Sequence, residues 1–188
     1  MGKALSDMTL EELWALFPIF LVPHNENWAT DYAEMEDRLR KGMQEIRIER
    51  ISHIGSTAVK GIWAKNIIDI LLEIIPEEEM HCAVQAAVAL GFRRMSETEE
   101  RASLNWGYTP EGFADKVYHL HIRFVGDHDE LYFRDYLNEH PEAAKEYERL
   151  KLALWRQYEH DRDGYTNAKH GLVARYTQEA KARYHQRY

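Results

Sequence analysis

The sequence predicts an α+β fold, a small mixed sheet flanked by helices and followed by an all-helical C-terminal region. Three observations predict it. Ile67 to Ile75 is an apolar, largely β-branched run closed by Pro76, the pattern of a buried strand. Lys116 to Val125 alternates, with Val117, His119, His121 and Arg123 on one face and Tyr118, Leu120, Ile122 and Phe124 on the other. From Asp127 to Tyr188 the spacing turns helical throughout, so the helices gather at one end of the chain.

The elements follow in order. Thr9-Leu10-Glu11-Glu12 has the capping-box spacing and opens a short helix that Pro18 stops. Trp28, Tyr32, Met35 and Leu39 recur at helical spacing, which predicts an amphipathic helix over 25–42. A strand runs from Ile46 through Ile54, and the apolar run 67–75 is the next. Residues 77–90 read as a helix with Met80, Val84, Ala87 and Val88 inward, Gly91 past its end, and Cys82 as a small core-facing residue. Short strands over 92–96 and 101–106 precede a Gly/Pro loop through Gly112. The alternating strand follows, and then helices over 128–139, 141–160 and 165–187, the second with Pro141 at its first position. The aromatics Trp28, Tyr32, Tyr147, Trp155, Tyr158, Tyr165 and Tyr176 sit at helical spacings and read as packing residues.

Composition narrows the function. At 188 residues the chain is long enough for one domain with its own core, and it shows no repeat or linker. No apolar run approaches the roughly 20 residues of a membrane span, and no secretory signal opens it. A single cysteine suits a reducing cytoplasm, where the protein is expected. The net charge of −8 disfavours nucleic acid, whose binders cluster Lys and Arg against phosphates, but leaves room for a small anionic ligand. Nothing in the sequence sets an oligomeric state.

The chemistry concentrates between Ile54 and Leu71. After a strand ends at Ile54, Gly55-Ser56-Thr57 offers close backbone approach, hydroxyls and free N–H groups to an anion. A dozen residues on, Asp69 interrupts an apolar strand. A carboxylate there needs a cation, a metal or a cavity. His119 and His121 project from one strand face about 7 Å apart, good ligands for Zn²⁺ or Mn²⁺ and competent acid–base groups.

These segments resemble the GrpB family, placed among proteins of the nucleotidyltransferase fold. The family pattern His-Ile-Gly-Ser-Thr-Ala-Val reads here as His53 to Val59, and Ala-Lys-Pro-Ile-Ile-Asp-Ile as Ala64 to Ile70, with Asn66 for the proline and Lys60 for the proline before Gly61. The likeness continues at Tyr118-His119-Leu120-His121, Phe133 to Leu137 with His140-Pro141, Tyr147 with Leu150-Lys151, and Tyr165-Thr166 with Ala168-Lys169. It covers residues 20–182. It implies a variable addition over 1–20, a nucleotidyltransferase-like core over 21–126 and helices packed on that core over 127–188.

It also implies a metal-dependent nucleotidyl- or phosphoryl-transferase acting on a small molecule. Asp69, His119 and His121 would be metal ligands, and Asp69 and His121 would carry the catalysis. Gly55, Ser56, Thr57, Lys65, Arg134 and Lys169 would contact the nucleotide or its phosphates. Mg²⁺ or Mn²⁺, with Zn²⁺ the choice of the imidazoles, and a nucleoside triphosphate are the implied cofactor and ligand. Active members of the superfamily carry two strand carboxylates two positions apart. Here position 71 is Leu, and Glu73, about 13 Å along an extended strand, reads as solvent-facing or structural. His53 faces either the same pocket or the reverse side, and Lys151 is a further basic candidate on the C-terminal helices. Two other readings stand beside the enzyme: a non-catalytic nucleotide or metabolite module, and a His-rich transition-metal site with hydrolytic activity.

Overall fold

The fold is set by an inner strand that is apolar at all but two positions and buried on both faces along most of its length. In the computed structural model, which describes residues 3–188, this strand is β2 (Ile68–Ile74), and it pairs antiparallel with β1 (Ile48–Ile54) and parallel with β5 (Gly112–Phe124). β4 (Arg101–Thr109) and β3 (Arg93–Glu97) extend the sheet antiparallel, giving the order β1-β2-β5-β4-β3. Helices α2 (Asn27–Gly42) and α3 (Met80–Ala89) cover one face, where Leu39, Ile68, Ile70, Leu72, Val84 and Leu120 form the main core. Helices α4 (Asp129–Glu139), α5 (Pro141–Gln157) and α6 (Arg162–Tyr184) gather on the other side, and α1 (Leu10–Leu16) begins the chain with the expected capping box on Thr9 and Glu12. The α+β order, the mixed sheet and the helical end are those the sequence predicts.

The local departures have physical reasons. The segment read as a Gly/Pro loop is a long β4–β5 hairpin closed at Pro110-Glu111. It accommodates a register shift at Gly107, whose φ of +87° and close approach to the Lys116 carbonyl exclude a side chain. α6 begins earlier than expected because the Asp161 carboxylate accepts from the Gly164 N–H at 2.8 Å and caps it. Cys82 is exposed rather than core-facing, and Val88 is partly exposed. α3 packs through Met80, Ala83, Val84 and Ala87, and this stripe turns both residues outward. Glu73 does not face solvent. It is fully buried, with Arg50 Nε at 2.6 Å and His128 Nδ1 at 2.8 Å.

Among the described residues, no helix is long and apolar enough to cross a membrane.

Candidate functional site

The parallel pairing of β2 with β5 brings Asp69 and His119 together as direct neighbours across the ladder, with Leu71 opposite His121. Because side chains alternate along both strands, Asp69, His119 and His121 leave the same sheet face. His119 Nδ1 lies 3.1 Å and His121 Nε2 3.7 Å from Asp69 Oδ1. One ligand atom from each of the three can be drawn within 4.8 Å of the others.

The Gly55 turn shapes this cluster by having no side chain. Gly55 adopts φ +71°, and a Cβ there would stand 2.3 Å from Asp69 Oδ2. Glycine is required twice, for its left-handed backbone and for the approach of the carboxylate. The short 3₁₀ turn Ser56–Ala58 follows, with Ser56 Oγ 3.3 Å from the Tyr147 hydroxyl of α5. Thr57 is buried, and its hydroxyl lies 2.9 Å from His53 Nε2 and 3.3 Å from the Ile67 carbonyl, so it braces the turn from behind. His53 takes the reverse face, stacked on Tyr32 of α2 at 4.9 Å between ring centroids. Burial, helped by Arg134 and opposed by Asp69, pushes it down to about 4, so it is neutral at neutral pH.

A hydrogen-bonded chain fixes the protons. Arg162 Nη2 donates to the Tyr108 oxygen at 2.9 Å, and the Tyr108 hydroxyl lies 2.8 Å from His119 Nε2. With no ion present, the Asp69 carboxylate only accepts, so neutral His119 carries its proton on Nδ1 toward Asp69, and Nε2 accepts from the Tyr108 hydroxyl. Burial, opposed by Asp69, keeps His119 below its usual range. Burial alone would raise the Asp69 carboxyl, but hydrogen bonds from His119 and His121 outweigh it and hold the group well below the usual carboxylate range.

Beside this cluster stands a group of cations that, among the described residues, make no direct ion pair with a carboxylate. The loop leading to β2 is tied to α5, where Glu148 Oε1 accepts from the Trp63 N–H at 2.7 Å and the buried Lys151 donates to the Trp63 carbonyl. Lys65 emerges from that loop. Its Nζ lies 5.7 Å from the Tyr165 ring, and Lys169 Nζ is 4.4 Å from the same ring. Burial, then repulsion from Lys169 and Arg162, pushes Lys65 down to about 7, with Asp69 opposing. Burial, then Lys169, does the same to Lys151, also to about 7. Glu148, the acid that acts on Lys151, is itself paired with Lys145 at 2.8 Å. The Tyr165 hydroxyl is buried and, among the described residues, unpartnered.

Of the residues singled out in the sequence, the structure therefore brings Gly55, Ser56, Lys65, Asp69, His119, His121 and Lys169 to one region. Arg134 lies elsewhere: it donates to the His53 carbonyl at 3.0 Å and the Tyr188 hydroxyl at 2.9 Å, bracing the outer edge of β1. Tyr108, Arg162 and Tyr165 were not among the site residues read from the sequence. Tyr108 falls in the segment read as a loop, and Arg162 precedes the predicted start of its helix. Lys151 had the signal of its Leu-Lys motif.

The donor set is one carboxylate oxygen and two imidazole nitrogens. That suits Zn²⁺ or Mn²⁺, whereas Mg²⁺ prefers oxygen ligands in octahedral array. The position two residues after Asp69, where a second carboxylate would stand, is closed off: Leu71 is fully buried with Ile54 beneath Leu131 of α4.

The sequence profile described as "GrpB protein" matches residues 18–179. The UPF0157 protein of Pseudomonas aeruginosa is 34% identical over 84% of this chain, and the match spans 65% of that protein's length. The glutamate-rich protein GrpB of Alkalihalophilus pseudofirmus is also 34% identical, over 82% of this chain and 91% of its own. The crystal structure of the conserved protein GrpB from Enterococcus faecalis overlays with a TM-score of 0.75 at 26% identity, covering 88% of this chain and 99% of that one. The Cid1 poly(U) polymerase overlays with a TM-score of 0.48 at 11% identity, over 70% of this chain and 42% of that one.

Proposed function

The chain belongs to the GrpB family, and from the geometry of its site we propose that it acts on a phosphorylated small molecule, as a nucleotidyl- or phosphoryl-transferase that holds a divalent transition metal on Asp69, His119 and His121. Family membership speaks to fold, and the activity has to be argued from the site. One observation carries the reading. An anionic carboxylate–imidazole cluster adjoins Lys65, Lys151, Lys169 and Arg162, whose charges rest on a backbone carbonyl, a phenol and aromatic rings. Gathering like charges in a part-buried region is unfavourable unless an anion joins them. A phosphate group meets the charge and the donors on offer.

A bound ion would polarise a phosphoryl oxygen as a Lewis acid. The chain's own residues perform the rest. Lys65 and Lys169 offer donors to phosphate oxygens, and Lys151 adds charge from its buried position. Gly55 keeps the turn close to Asp69. His121, the imidazole that Tyr108 does not engage, would complete the donor set as the third ligand.

A second reading, a ligand-binding module without catalysis, is favoured by Leu71, which α4 seals where a second carboxylate would stand.

Calorimetric titration of the four ribonucleoside triphosphates into wild type and Asp69→Asn, with and without Mn²⁺ or Mg²⁺, separates the two. Binding that needs both Mn²⁺ and Asp69 is the result expected of the enzyme. Binding that persists in EDTA and in Asp69→Asn supports the module. Absence of any binding overturns both as nucleotide readings and leaves other phosphorylated metabolites for the lysines.

A further inference from the structure

We infer that the substrate carries a planar ring next to its phosphate, and that the ring occupies a pocket with aromatic walls and a polar rim, built by the segment after α1 and the β4–β5 hairpin. The inference rests on the phosphate reading above and names the other half of the ligand. The pocket has a volume of about 310 Å³, at the lower end of the range for small-molecule sites. Phe17, Phe20, Phe113 and Val117 form its apolar side, and Lys65, Arg162, Asn66 and Asp115 its polar side. Those two cations also belong to the anion-facing group, so pocket and cluster share a border. Val117 lies two positions before His119 on the same face of β5, which sets the two sites roughly 7 Å apart along the strand.

The walls suit a ring. Phe113 meets Phe17, Phe20 and Tyr108 at centroid distances of 5.0, 6.0 and 5.2 Å, all at steep interplanar angles. An inserted ring can therefore meet edges and faces together. The segment is held in place, since the Ile19 N–H donates to the Glu159 carbonyl at 2.8 Å just before α6. Tyr108, which touches His119, packs behind the lining rings Phe17 and Phe113, so the pocket wall and the histidine are one contact apart. The aromatic side of the pocket contributes nothing to holding phosphate itself. Its worth lies in the uncharged part of the molecule attached to it.

The test compares inorganic phosphate, phenyl phosphate and phenol by calorimetry and by the methyl NMR shifts of Ile19 and Val117. It uses wild type and Ala114→Trp, a substitution at an exposed lining residue that fills the pocket. The expected result is phenyl phosphate binding on the order of tenfold tighter than phosphate in wild type, falling to parity in Ala114→Trp while phosphate affinity is kept. Equal affinities in wild type, or a preference that survives the filled pocket, overturn the inference. If phosphate fails to bind wild type, the phosphate reading falls. Phenol then decides the pocket alone: saturable shifts at Ile19 and Val117 support a ring site, and unmoved methyls remove it.

Discussion

Asp69 and Glu73 leave the same face of β2, and their surroundings differ in every respect that matters. Glu73 is fully buried and answered on both sides by Arg50 and His128. Asp69 is part-exposed, touched by two imidazoles, and among the described residues its neighbouring lysines make no direct ion pair. A charge set that closes on itself holds the fold. One left open is poised to be closed by a ligand. On one strand, the difference separates structure from function better than residue type does.

The largest effect should come from breaking the closed set. Glu73→Ala leaves Arg50 and His128 facing an empty acid position, and it should destabilise the protein by about 3–5 kcal/mol in urea unfolding. Asp69→Asn keeps a carbonyl oxygen near His119 at a site water can reach, and its cost should stay about 1 kcal/mol or below. Equal losses from the two variants would erase the contrast.

On the open set the prediction inverts, with function lost and stability kept. Lys169→Ala removes one of several crowded cations, so folding stability should be unchanged or slightly higher. Inorganic phosphate should bind about tenfold more weakly, the scale of one charge-assisted hydrogen bond. Calorimetry and urea titration of the same variant read both numbers. A variant that loses stability and keeps its phosphate affinity would make Lys169 a structural residue.

Much of this contrast was legible in the sequence. Asp69 announced itself as a charge within an apolar run, and the alternation of β5 placed His119 and His121 on one face. The pairing of β2 with β5, which unites them, is long-range and had only the family likeness behind it. The fate of Glu73 could not be read, because period-2 alternation gives a face and not the cover. Arg50 and His128 reach it from β1 and from the start of α4. The aromatic pocket was hidden for the same reason: Phe17 and Phe113 are far apart in sequence and meet only when the hairpin forms. Tyr108 was lost to a loop reading because Gly107 and Pro110 look like loop residues, although one of them makes a bulge within a ladder.

The smallest effect is also the most specific to an open charge set, and it concerns protons. Lys65 and Lys151 are pushed down to about 7 in the folded protein, against 10.5 when unfolded. Between those values the unfolded chain holds protons that the folded chain lacks, so these lysines make the ligand-free protein more stable as pH rises from 7 towards 10.5. Below pH 7 both states are protonated, and the lysines add no slope. A bound anion restores the charged form, so phosphate binding at pH 8 should take up protons, approaching about two for the two lysines together. Calorimetry in two buffers of different ionisation enthalpy reads this uptake directly, as a binding enthalpy that shifts with the buffer. The uptake should shrink when Lys65 is replaced by Met and should vanish near pH 6, where the lysines already carry their protons. A buffer-independent enthalpy at pH 8 would mean that these cations are already matched in the free protein, and Asp69 and Glu73 would then differ in exposure alone.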